Sequence, residues 1–196
     1  MKNQRFGIEI EMTGLTRNHA SRLVAGYFNS ESIHEGGTYD TYTIKDQQGR
    51  KWKIVSDASI NAETSRHHSA NPSYRVEFVS PICRYDDIED IQEIVRKLRK
   101  EGHARVNSSC GIHIHIDASV YDARSLRNLT NIMYSKEDLI YKALKVSVSR
   151  EYRYCRKVDN SFIEELNRRK PKNLEQVEKI WYKGDSSRKL RHYDDS

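Results

Sequence analysis

The stretch Phe6-Gly7-Ile8-Glu9-Ile10-Glu11-Met12 decides how this chain folds. Side chains two apart on a strand share a face. Phe6, Ile8, Ile10 and Met12 therefore point one way, and Gly7, Glu9 and Glu11 point the other. The same alternation returns at Ile112-His113-Ile114-His115-Ile116-Asp117, where the isoleucines turn away from His113, His115 and Asp117. It appears again at 74–79, where Tyr74, Val76 and Phe78 oppose Arg75, Glu77 and Val79. Each of these strands offers one apolar face and one face of ionisable groups.

A polar side turned to water is the ordinary explanation of such a pattern in an antiparallel sheet. Two details argue for more. Two glutamates side by side on one strand repel each other unless a cation lies between them. A His-x-His flanked by isoleucines is also unusual for a merely solvated strand. Carboxylate oxygens suit hard divalent cations, and imidazole can complete the set. A mixed Glu/His set fits magnesium or manganese bound with phosphate groups better than structural zinc, which favours a closed Cys/His cluster.

Outward from these strands, Thr16 caps a helix expected to run to Phe28. Residues 38–45 and 51–56 read as a hairpin around Asp46-Gln47-Gln48-Gly49. Residues 61–73 read as a polar loop containing His67-His68, expected to face solvent. Residues 86–101 form the clearest helix, with Ile88, Ile91, Val95 and Leu98 as its stripe. Its acidic start and basic end suit the helix dipole. Two helices are expected over 122–134 and 136–145, and short ones near 159–169 and 173–182. Trp52, Tyr74 and Phe78 are assigned to the core and Trp181 to helix packing. The expected fold is α+β: a mostly antiparallel sheet with helices on one face.

The chain has 196 residues, enough for one domain with a real core. We expect a single domain over 1–196, with a sheet-and-helix core at 1–147 and a basic, mainly helical part at 148–196. Charged residues make up 32% and the mean hydropathy is −0.86. No stretch approaches the roughly 20 apolar residues of a membrane helix, and Met1-Lys2-Asn3-Gln4-Arg5 lacks a signal-peptide core. No membrane partner and a cytoplasmic location are expected. The net charge is +6. Residues 1–140 balance 19 basic against 19 acidic side chains, and residues 141–196 carry 15 against 9. The basic residues are scattered over helical positions, which argues against nucleic acid. Cys83, Cys110 and Cys155, an odd count without a Cys-x-x-Cys pair, argue against a disulfide framework. Strand alternation sets Cys110 and His113 on opposite faces, so they do not make a nucleophilic dyad.

Four motifs in order, Phe6-Gly7-Ile8-Glu9-Ile10-Glu11, Trp52-Lys53-Ile54-Val55-Ser56-Asp57-Ala58-Ser59-Ile60, Val76-Glu77-Phe78-Val79-Ser80-Pro81-Ile82 and Cys110-Gly111-Ile112-His113-Ile114-His115-Ile116-Asp117, resemble the amidoligases, relatives of glutamine synthetase and glutamate–cysteine ligase. The resemblance covers residues 5–160. It implies a glutamine-synthetase-like fold whose curved antiparallel sheet holds ATP and magnesium. The implied reaction phosphorylates a carboxylate, of an amino acid or a peptide, and lets an amine or ammonia displace the phosphate. Glu9, Glu11, Glu77 and His113 match metal ligands, with His113 also near the transferring phosphate. His115 falls nearer the nucleotide, and Asp57 and Ser59 match a substrate-binding turn. Asp57 or Glu77 would accept the amine's proton, and Arg150, near Tyr154-Cys155, would neutralise phosphate. A truncated or non-catalytic module of the same fold and a metal-dependent hydrolase are the alternatives.

No glycine-rich phosphate loop is present. The family pattern continues to a final strand with a Glu-x-Arg-like element, whereas this chain ends at Arg191-His192-Tyr193-Asp194-Asp195-Ser196. The comparison implies a C-terminal truncation or the loss of part of the site. It also implies a sheet edge open to a second copy, hence a homo-oligomer.

Overall fold

The computed structural model describes residues 3–182. The stretch 191–196, where the resemblance raises the question of a further strand, lies outside the described residues. The chain divides into two compact units, 1–117 and 118–196.

The first unit is an open, wholly antiparallel six-stranded sheet. Its strands are β1 (Phe6–Met12), β2 (Ser32–Gly36), β3 (Thr41–Lys45), β4 (Lys51–Val55), β5 (Val76–Val79) and β6 (Ile112–Ile116). Their order is β2-β3-β4-β5-β1-β6. Helices α1 (Arg17–Tyr27) and α2 (Ile88–Lys100) complete this unit. The α+β expectation holds.

The apolar faces read from the sequence become the core. Met12, Ile44, Trp52, Ile54, Val76 and Phe78 pack with Ala20 and Val24 of α1 and Ile91, Ile94 and Leu98 of α2. Thr16 caps α1, its hydroxyl accepting from the His19 N–H at 3.3 Å. The Trp52 ring stacks on Phe78 at 5.5 Å, and its Nε1–H donates to Asp46 at 3.0 Å. Asp46 and Asp87 share Arg50, at 2.7 and 2.8 Å. Arg50 holds the Asp87 carboxyl below its ordinary range, and this ion network ties the β3–β4 hairpin to the start of α2.

Four expectations change. Strand β2 is missing from the sequence reading, because Ser-Ile-His-Glu-Gly at a sheet edge has too little apolar alternation to register. The stripe of α2 uses Ile94 rather than Val95, and Ile88 is exposed. The helices expected at 122–134 and 136–145 are one helix, Ala123–Ala143. Ser135 does not break it, since its hydroxyl donates back to the Ile132 carbonyl at 2.8 Å. Finally, Ile112, Ile114 and Ile116 are 63, 63 and 49% exposed. They lie on the apolar face of an edge strand, while α1 packs over β2, β3 and β4 at the opposite end.

The second unit contains α3 (Ala123–Ala143), α4 (Val148–Arg153), α5 (Asn160–Arg169) and α6 (Leu174–Trp181). Phe162, Leu166 and Ile180 form its core, with Trp181 edge-on to Phe162 at 4.8 Å. Buried Glu137 on α3 accepts from the Val158 N–H at 2.8 Å, and Lys157 pairs with Asp138 and Glu151 at 2.8 and 2.9 Å. No described helix is long and apolar enough to cross a membrane.

Because Phe78 sits at the centre of the first core, Phe78→Ala should cost about 3–5 kcal/mol. The measurement is the shift of the urea midpoint followed by tryptophan fluorescence. A shift worth less than about 1 kcal/mol would place the centre of that core elsewhere.

Candidate active site

The face opposite the helices carries the ionisable residues, and the register brings them together. β1 lies between β5 and β6, pairing Glu11 with Glu77 and Glu9 with Val79 on one side, and Glu9 with His113 and Gly7 with His115 on the other. On the next strand Val55 pairs with Glu77, so the chain leaving β4 delivers Asp57 beside that carboxylate. The turn is held by Ile60, fully buried, and by the Ser59 N–H, which donates to Asp57 Oδ1 at 2.6 Å. Ser59 itself is exposed.

Two trios result. Ligand atoms of Glu9, Glu77 and His113 lie within 4.8 Å of one another, and so do those of Glu11, Asp57 and Glu77. Glu77 belongs to both. Glu9 Oε2 is 3.1 Å from His113 Nδ1 and 3.4 Å from His115 Nε2. His115 is thus on the same face but outside both trios, one pair further along β6. Glu11 is 5% exposed, and its Oε2 accepts from the Gly111 N–H at 2.5 Å, which anchors the chain entering β6. A groove of about 380 Å³ extends from Glu9 along the start of β1, between His115 and Val79. Gly7 keeps its floor low: a Cβ there would meet only the His115 Cβ, at 3.9 Å.

The electrostatics follow from this crowding. Burial, then the charges of Glu9, Asp57 and Glu11, push the Glu77 carboxyl from 4.5 up to about 7, and His113 opposes the shift. Two partly buried carboxylate groups sharing one member are a donor set for hard divalent cations, with His113 as the imidazole. The residues present therefore fit magnesium or manganese.

Of the residues singled out in the sequence, Glu9, Glu11, Asp57, Glu77 and His113 meet at the trios, and His115 touches Glu9. Arg150 belongs to the second unit, on α4, with its guanidinium over the Tyr154 ring at 5.1 Å. The sequence reading missed Glu63, Thr13 and Asn107. The Glu63 N–H donates to the Thr13 hydroxyl at 2.8 Å, and Asn107 donates to Glu63 Oε1 at 2.9 Å, fastening the 61–73 loop beside the end of β1. These contacts span 44 and 50 residues and carry no local signal. His67, read as solvent-facing, is exposed, yet its Nε2 lies 2.9 Å from Arg105 Nη1.

With this geometry in place, the comparison with known families is decisive. The family model described as "Putative amidoligase enzyme" matches residues 2–196, and the chain belongs to that family. That description points to an amide-bond-forming ligase. No curated protein and no solved structure matches the chain.

The folded chain keeps the Glu77 proton up to about pH 7, whereas an ordinary carboxyl releases it near 4.5. The folded form therefore holds an extra proton between those values, and stability falls as pH rises through that window. In EDTA, Tm should decline from pH 4.5 to about 7, and Glu77→Gln should flatten that part of the profile. Manganese should raise Tm more above pH 7 than below it. An unchanged slope in the Gln variant would remove Glu77 as its source.

Proposed function

We propose that this protein is an ATP- and Mg2+-dependent carboxylate–amine ligase that works through an acyl phosphate. The observation that carries the reading is the pair of acidic trios sharing Glu77 on one sheet face. Family membership supports the amide-forming class.

Glu9, Glu11, Glu77 and His113 would hold Mg2+ or Mn2+. A bound cation of this kind screens the charge of transferring phosphate. In the proposed reaction a carboxylate oxygen of the substrate attacks the terminal phosphorus of ATP, and ADP leaves. The amine or ammonia nitrogen then attacks the acyl carbon, phosphate departs, and the nitrogen gives up a proton. Glu77 belongs to both trios and would be taken up by the cation. Asp57, which belongs to one trio only and is oriented by the Ser59 N–H, would accept the proton. Ser59, exposed beside it, would contact the substrate. His115, facing the groove over Gly7, would lie on the nucleotide side. The cytosol would supply ATP and magnesium.

Purified protein with Mg-ATP should release ADP only when pooled carboxylates and pooled amines are both present. ATP binding without ADP release from any pair would favour a non-catalytic nucleotide-binding module. Bond cleavage without nucleotide would favour a metal-dependent hydrolase. Glu11→Gln keeps an acceptor for the Gly111 N–H but removes the charge. It should weaken metal-dependent nucleotide binding by at least about tenfold, roughly 1.4 kcal/mol, with a nearly unchanged melting curve. Parent-like Mg-ATP binding by that variant would overturn the metal assignment.

A further inference from the structure

Strand β5 begins one residue after Arg75, whose backbone is already extended (φ −81°, ψ 104°). Alternation therefore sets Arg75 on the face of Glu77 and Val79, opposite the fully buried Val76 and Phe78. Arg75 lies one residue beyond the Met12–Val76 pair and two beyond the Val55–Glu77 pair, at the end of the face where Asp57 leaves β4. The main chain that carries it is pinned. Its carbonyl accepts from Arg17 Nη1 at 2.8 Å, and its N–H donates to the Pro72 carbonyl at 3.1 Å.

The side chain is treated differently from those of Arg17 and Arg50. Arg17 is neutralised by Asp40 at 2.5 Å, and Arg50 by Asp46 and Asp87. Arg75 forms no ion pair among the described residues, and its Nε is buried without a hydrogen-bond partner. The carboxylates of Glu77 and Asp57 group with Glu11. A buried donor on a charged group is costly to leave unmade, so this position calls for an acceptor from outside the protein. A guanidinium presents Nε–H and Nη–H as a fork matched to the two oxygens of a carboxylate or phosphate.

We propose that Arg75 is an oxyanion-binding residue of this face, its Nε–H taking an oxygen of a phosphate or carboxylate group. Only the source of that oxyanion rests on the ligase reading: the terminal phosphate of ATP or the carboxylate of the substrate. The cation trios and Arg75 then have separate tasks, the first screening charge and the second fixing one oxygen's direction.

The parent protein tests the site itself. The Arg75 Nε–H resonance, assigned by its loss in Arg75→Lys, should shift when inorganic phosphate, pyrophosphate or acetate is added without metal. The Lys variant keeps the charge and loses the Nε donor, so it also separates the sources. Mg2+ with β,γ-imido-ATP bound at least about tenfold more weakly, with Mg-ADP unchanged, would assign the terminal phosphate. Unchanged nucleotide binding with at least tenfold weaker binding of the probe L-glutamate would assign the carboxylate. A parent protein that binds no Mg-nucleotide defeats the ligase reading and leaves the anion titration to decide the site. Should the Lys variant fail to fold, Arg75→Gln supplies the assignment, and the parent titration stands alone. An Nε–H resonance unmoved by all three anions would overturn the proposal, and so would a folded Lys variant that binds every probe like the parent.

Discussion

β1 is paired on both sides, and its register with β5 and β6 is the constraint on which the candidate site depends. Ile10 opposite Phe78 and Ile8 opposite Ile114 set that register from the apolar side, and Glu11 opposite Glu77 and Glu9 opposite His113 follow on the other. A slip of one residue would exchange the two faces. The apolar side decides the outcome. Burying one large aliphatic or aromatic side chain is worth about 1.5–3 kcal/mol, and Met12, Val76, Phe78, Trp52 and Ile54 are all buried there. That sum exceeds the repulsion among a few carboxylates, so the sheet tolerates an arrangement that its polar face alone would oppose.

The repulsion is visible in how differently the molecule treats its acids. Away from the site, Asp40 meets Arg17, and Asp46 and Asp87 meet Arg50, which completes structural ion pairs. Within the site, Glu9 meets imidazoles, and Glu77 is pushed toward neutrality by its neighbours. Carboxylates crowded in this way form a region of negative potential that a cation relieves. In the proposed ligase reaction, a face that drew in cations, and through them phosphate, would give amide-bond formation the screening it requires.

Much of this was legible in the residues. Period-two alternation assigned Glu9, Glu11, Glu77, His113 and His115 to polar faces. The cap at Thr16, the acidic-to-basic run of α2 and the Asp46–Gly49 turn also marked their elements. The failures have specific causes. β2 is a polar edge strand with little to bury. Ser135 satisfied its hydroxyl within α3 and left that helix continuous. Ile112, Ile114 and Ile116 carry a buried-strand pattern at a sheet edge that α1 does not reach.

The sequence by itself determined which side chains share a face, because alternation is local backbone geometry acting between positions i and i+2. It also determined the chemistry available there: carboxylates, imidazoles and no phosphate-cradling glycine loop. Only the tertiary structure decided that these faces belong to one sheet with β1 between β5 and β6. Glu9 and His113 meet across 104 residues, and Asp57 joins Glu77 through a turn that leaves the sheet. Such neighbours are chosen by closing long loops over a shared core. That choice depends on the packing of Trp52, Phe78 and both helices together, and no single segment carries it.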